Sequence, residues 1–286
     1  MSEGVEQSVT SLSVTDTLVI LAGVALFASW LLSTSLGRKA LVQSKPRRNR
    51  VPWYVPILVF LGWMAGMGLL PQVALEVVGK MEQWRELFLG NIMYSVASVI
   101  VVAIVGAIAK LDFARGLKGL GLRVRTVPRD LAFAFFTLLA VQPLVLAMMS
   151  LTILVARALF GKDFTVPQHE ALKLITESPA LPLQILLVVV AVVVAPVVEE
   201  MLFRGLVQTT IRSYVQRPWP AIVLTSLLFA SIHVNGTHWP SLFVLALGLG
   251  YSYEKSGSLL RPIFMHAMFN GFTVATVLTG PPAWLC

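Results

Sequence analysis

The chain has 286 residues, 57% of them hydrophobic and only 13% charged, with a formal net charge of +8. Soluble domains carry about 25% charged residues, so this composition, with a mean hydropathy of +0.81, excludes an ordinary water-soluble domain. The basic residues sit beside apolar runs, which fits membrane topology better than nucleic-acid binding, and the single cysteine, Cys286, excludes a disulfide framework or a four-cysteine zinc site.

Residues 1–16 are polar, with Glu3, Glu6 and Asp16, and read as a short N-terminal tail. The apolar run over 17–36 is followed, not preceded, by basic residues (Arg38, Lys39, Lys45, Arg47, Arg48, Arg50). That order is the reverse of a cleavable signal peptide, and it predicts a first transmembrane helix with its N-terminus outside. A second span over 51–70 is followed by an acidic loop (Glu76, Glu82, Glu86), and a third over 91–109 by a basic one running from Lys110 to Arg129. The glycine-rich centre of that loop, GLKGLGLR, lacks the context of a nucleotide site and reads as an interfacial turn. The fourth span, 131–159, contains Pro143 as a candidate kink, and 161–179 reads as a polar loop carrying His169. Four further spans are expected, the fifth opening at Leu181 and the others over 220–234, 241–253 and 259–279.

The expected fold class is therefore all-α, a polytopic membrane helical bundle of about eight transmembrane helices. It divides into the 1–16 tail, N-terminal helices one to four over 17–160 with basic cytoplasmic loops, and a C-terminal block over 181–280. With the N-terminus outside, the inward loops hold 17 of the 22 Lys and Arg residues, as the positive-inside rule requires. A multi-pass protein of a bacterial inner membrane fits this plan.

Three polar constellations interrupt the last spans. The fifth runs into Glu199-Glu200 with Arg204 four residues on. Ionisable groups at membrane depth cost about 2.5–3.5 kcal/mol each on insertion scales and persist where they pair or do chemistry. Glu200 and Arg204 share a helix face and can pair, whereas Glu199 lies about 100° round the helix and is a candidate general base. The sixth span carries Phe229-x-x-x-His233, and the eighth His266-x-x-x-Asn270 on one face. Each has a plainer reading: a helix-bonding histidine, a packing phenylalanine, or polar glue between helices worth about 0.6 kcal/mol. His238 reads as a loop residue. On straight helices Glu199 falls near the inner end of span five, and His233 lies about 20 Å along span six from the same side.

The three motifs, EEMLFR at 199–204, FASIH at 229–233 and HAMFN at 266–270, resemble those of the CAAX protease and bacteriocin-processing (CPBP, or Abi) intramembrane endopeptidases, including type II CAAX prenyl proteases. The resemblance covers about 181–280, and the first four spans carry no motif of it. It implies that Glu199 activates water with help from His233, and that His266 and Asn270 bind the substrate carbonyl and its oxyanion. Glu200, Arg204 and Phe229 would support the site. It also leaves open a zinc ion on Glu199, His233 and His266, three ligands plus water; no metal is taken as obligatory. Implied substrates are prenylated CAAX-type tails or leader and anchor segments of membrane peptides, reached from the bilayer. Two rival readings are a non-proteolytic scaffold or immunity protein, and a small proton-coupled transporter using the buried carboxylates; the lack of an internal repeat counts against the second.

Overall fold

The computed structural model describes residues 44–161, 163–164, 170–233 and 236–279, together with 41, 42 and single positions at 18, 21, 24, 25, 28 and 29. The tail over 1–16, most of the first expected span, and His169, Asn235 and Cys286 lie outside the described residues.

The chain builds its helices with proline near the first turn and glycine after the last. A prolyl N–H is not missed where no partner exists, and glycine accepts the positive φ that closes a helix. Helix α1 (Val55–Val78) has Pro56 in its first turn and ends at Gly79, φ 83°. After α2 (Gln83–Asp112), the glycine-rich loop makes one short turn, α3 (Leu117–Leu120), bounded by Gly116 and Gly121 at φ 53° and 100°. Helix α4 (Val127–Phe160) runs on through Pro143. The expected loop over 161–179 contains a short amphipathic helix, α5 (Glu170–Glu177), whose Ile175 is buried against Leu183 and Leu187. The acidic loop expected after span two shrinks to residues 79–82, because α1 continues past Pro71.

Helix α6 (Leu181–Val215) is one continuous 35-residue rod. Two of its stretches, Val190–Val194 and Met201–Gln208, adopt the wider π-helical pattern. Helices α7 (Pro218–Ser231), α8 (Trp239–Ser256) and α9 (Leu260–Thr279) complete the bundle. Helix α6 lies at its centre, touching α1, α2, α7, α8 and α9, while α4 covers α8 and α9. Among the described residues five helices are long and apolar enough to cross a bilayer; α7 is apolar but has only 14 residues. Large apolar side chains such as Ile57, Leu58, Leu61, Leu69 and Val73 of α1 point outward, as lipid-facing residues do. With no β-strand among the described residues, the protein is an all-α, multi-pass membrane bundle.

The segments expected on the inner side do converge at one end. Backbone bonds join Arg50 to Asp112 (2.9 Å), Ala114 to Arg48 (3.0 Å) and Leu259 to Gly121 (3.1 Å). Arg212 and Arg47 both engage Glu254, at 3.0 and 3.6 Å, and Arg261 pairs with Asp130 at 2.7 Å. Arg204, expected in the same inward group, is wholly buried inside the bundle. Helices approach closely where α8 has no side chain. A Cβ on Gly250 would stand 2.8 Å from Gln208 Oε1 of α6, and one on Gly248 2.8 Å from Val141 Cγ2 of α4, the close packing that small residues permit between membrane helices.

Candidate active site

The length of α6 resolves the disparity in depth between Glu199 and His233. Its polar second half does not leave the bundle, so Glu199 lies mid-helix, about 24 Å from the Val215 end at 1.5 Å per residue. Helix α7 starts three residues later and returns antiparallel, reaching residue 233 after about 22 Å. The two motifs therefore arrive at one level, and α9 brings the third alongside.

His266 stands between the two glutamates. Its Nδ1 is 2.9 Å from Glu200 Oε1, and its Nε2 is 3.9 Å from Glu199 Oε2. Glu200 Oε1 also receives Arg204 Nη1 at 2.7 Å, while Arg204 Nη2 donates to the Ala246 carbonyl of α8 at 3.2 Å. An ionised carboxylate only accepts, so Glu200 holds Nδ1 as a donor and presents Nε2 toward Glu199. The spacing of Glu200 and Arg204 announces their pairing; the further bond to His266 does not show in the sequence, because it joins residues 66 apart. Glu199 makes no hydrogen bond among the described residues, and 3.9 Å to His266 is too long for one. Glu200, Arg204 and His266 are buried, whereas Glu199 and His233 are partly open.

Phe229 is the packing centre of the site. Its buried ring carries the Arg204 guanidinium 4.6 Å above it, meets Phe203 edge-on at 5.3 Å, and touches the rings of His233 and His266 at 4.9 and 5.8 Å. His233, just past the end of α7, points its Nδ1 at the Phe229 carbonyl (2.8 Å). A carbonyl only accepts, so Nδ1 is the donor, and Nε2 of the neutral ring is the nitrogen able to accept from water. Trp239 Nε1 donates to the His233 carbonyl at 2.6 Å, fixing the turn.

Asn270 donates to the Ala191 carbonyl at 2.8 Å. In a π pattern that carbonyl would receive the N–H of residue 196, five positions on. Residue 196 is proline and has none, so Asn270 supplies the missing donor and ties α9 to α6 beside the glutamates. His238 closes the short turn before α8.

Zinc on Glu199, His233 and His266 is the alternative left open by the resemblance. Among the described residues no three His, Cys, Asp or Glu side chains are placed to hold an ion, and Nδ1 of both histidines is engaged elsewhere.

Every motif residue lies within the stretch 181–272, which matches the family model of the Rce1-like, type II CAAX prenyl endopeptidases. The stretch is Rce1-like. The chain is also 31% identical over 112 residues to an uncharacterized 24.3 kDa protein of Escherichia coli, an overlap of 38% of this chain and 52% of that protein. It thus spans about half the length of the curated relative it matches. No solved structure matches. Outside the Rce1-like stretch, helices α1 and α2 pack their apolar cluster directly behind Val198 and Met201, on either side of the glutamate pair. That wall carries no motif to announce it.

Proposed function

We propose that the protein is an intramembrane endopeptidase that hydrolyses a peptide bond in membrane-associated substrates by a water activated on Glu199. The observation that carries the reading is His266 held between two carboxylates, one anchoring the ring and one facing its reactive nitrogen. In a structural ion pair the Glu200–Arg204 couple would be complete; a further, unbonded carboxylate beside the histidine has no structural purpose, and a general base needs that arrangement.

In this reading water sits between Glu199 and the Nε2 edge of His233. Glu199 takes a water proton as the oxygen attacks the scissile carbonyl. The carbonyl oxygen becomes an oxyanion, met by Nε2–H of His266, whose Nδ1–H stays bonded to Glu200. The C–N bond then breaks as the carboxylic acid of Glu199 returns its proton to the leaving nitrogen. Asn270 acts through α6, holding the π-helical stretch that sets the angle of the glutamates. Arg204 and Phe229 keep Glu200 and both imidazoles in place. The Rce1-like match supports prenylated CAAX-type tails as one substrate class; leader and anchor segments of membrane peptides are the second.

The test compares wild type with Glu199→Ala in proteoliposomes on prenylated CAAX peptides and membrane-anchored leader peptides, with and without a chelator. Cleavage present in wild type and lost in the variant supports the peptidase. A folded wild type that cleaves no substrate of either class refutes it in favour of a scaffold, and loss of cleavage with chelator would restore a metal to the mechanism.

A further inference from the structure

Helices α1 and α6 leave an open apolar groove between them at the end where the basic segments gather. Both walls follow one rule. Trp53, Pro56, Ile57, Phe60 and Leu61 recur at three-and-four spacing along α1 and the turn leading into it, and the same spacing places Val207, Thr210, Tyr214 and Val215 on α6. Helix α1 begins at this end and α6 finishes there, so Trp53 stands across from Tyr214 and Val215 at the mouth. Leu61 and Val207 lie about 12 Å deeper, and Leu228, about 15 Å along α7, joins them there. The groove holds about 550 Å³, within the roughly 300–1,000 Å³ of ordinary ligand sites. Its deep end backs onto the candidate site, because Phe60 meets Phe203 edge-on at 6.1 Å and Phe203 meets Phe229 in the same way.

The mouth is cationic. Arg50 lies three residues before Trp53, and Arg217 two after Val215. Both are exposed, and neither guanidinium makes an ion pair or hydrogen bond among the described residues. The carboxylates at this end are engaged or turned inward: Glu254 holds Arg212 and Arg47, Asp130 holds Arg261, and Asp112 is half-buried. Arg50 and Arg217 thus keep their charge for a partner from outside. An exposed Trp and Tyr beside free arginines is the residue set of a headgroup boundary. A neutral apolar chain would fill the slot and leave the arginines unmatched; an inorganic anion would meet the arginines and leave the slot empty. An amphiphile with a negative head satisfies both.

We propose that this groove binds an anionic phospholipid of the leaflet on the basic side, with an acyl chain between α1 and α6 and the phosphate on Arg50 and Arg217. Basic pockets between membrane helices take such headgroups, and guanidinium matches phosphate by paired hydrogen bonds. The seated chain completes the apolar backing of Phe60, Phe203 and Phe229, behind the imidazoles of His233 and His266. The inference concerns lipid and stands whether or not the protein cleaves peptides.

The test places the whole protein in equimolar phosphatidylglycerol and phosphatidylcholine vesicles in which one lipid or the other carries brominated acyl chains. Quenching at Trp53 is read as the difference between wild type and Trp53→Phe. A preference of about five-fold or more for the anionic lipid is expected, the contribution of a single arginine near a charged membrane surface. Arg50→Gln/Arg217→Gln removes no bond and is expected to bring the preference within about two-fold of unity at an unchanged unfolding midpoint. Arg217→Gln alone, past the end of α6, is expected to lower it at least about two-fold and decides the matter if the double variant does not fold. Arg123→Gln/Arg125→Gln removes two exposed cations that do not line the groove, and leaves the preference in place. Equal quenching by the two lipids in wild type overturns the proposal, since ordinary boundary lipid gives that result. A preference that survives the groove variants, or that falls as far with the Arg123 and Arg125 pair, overturns it as diffuse attraction. Relief of the quenching by a prenylated CAAX peptide at a few per cent of the phospholipid assigns the groove to a substrate chain and overturns it too.

Discussion

Arg204→Met separates what the buried pair does for stability from what it does for chemistry. The substitution leaves the fully buried Glu200 without its 2.7 Å bond from Nη1, the Ala246 carbonyl without its 3.2 Å bond from Nη2, and the Phe229 ring without the cation 4.6 Å away. Removing one member of a buried pair costs about 3–5 kcal/mol, and stranding a carboxylate at membrane depth about 2.5–3.5 kcal/mol. The two routes overlap near about 3 kcal/mol, a large part of the 5–15 kcal/mol typical of a folded protein. The double variant Glu200→Leu/Arg204→Met removes both charges, and apolar replacement of a whole pair is often neutral, so most of the stability returns. Activity does not return with it. Without Glu200, His266 Nδ1 has lost the acceptor that anchors its ring, and loss of an orienting carboxylate slows catalysis by up to about 10⁴-fold. Unfolding by SDS in mixed micelles, followed by the fluorescence of the seven tryptophans, gives the stabilities, and peptide cleavage gives the rates. An Arg204→Met protein within about 1 kcal/mol of wild type refutes the account, and so does a double variant no more stable than the single.

Glu199→Ala, which removes no hydrogen bond, is expected to unfold within about 1 kcal/mol of wild type, so its lost cleavage reads as chemistry; a collapsed fold in the same micelle assay would contradict that. Gly248→Ala drives a Cβ to 2.8 and 3.0 Å from the two Val141 methyls and costs about 1–3 kcal/mol by overpacking. Gly68→Ala, with nothing within 4 Å, serves as the neutral control in the same unfolding series. Cysteine labelling in a Cys286→Ser background tests the topology: a cysteine replacing the exposed Lys45 reacts only from the inner side, and one replacing the exposed Lys173 only from the outer side. Reversed labelling overturns the orientation.

The helices were legible in the sequence because hydropathy and proline placement act locally. Spans expected over 131–159 and 259–279 emerge as α4 (Val127–Phe160) and α9 (Leu260–Thr279), within four residues at each end. The site was legible as three motifs for a related reason: carboxylates and imidazoles in apolar helices have few other uses. What stayed hidden depends on contacts between distant segments. Asn270 reads as a substrate-binding group, and its tie to α6 shows only once its donor is seen beside the carbonyl that Pro196 leaves unpaired.

The depth of the site was hidden by the same cause. Residues 204–217 are polar enough to read as a helix leaving the membrane, and a hydropathy profile cannot distinguish a charge in water from a charge paired in the interior. Helix α8 supplies the partners for that polar stretch. Gln208 Nε2 donates to the Gly250 carbonyl at 3.1 Å, Thr209 meets the Tyr253 hydroxyl at 3.2 Å, and Arg212 binds Glu254 at 3.0 Å. With those bonds made, α6 stays in the bundle for its full length, Glu199 falls at its middle, and the return of α7 delivers His233 to the same level. The glycines of α8 are what let it come close enough to do this. The depth of the candidate site is thus a consequence of α8 packing, although among the described residues α8 gives the site itself one backbone carbonyl, that of Ala246.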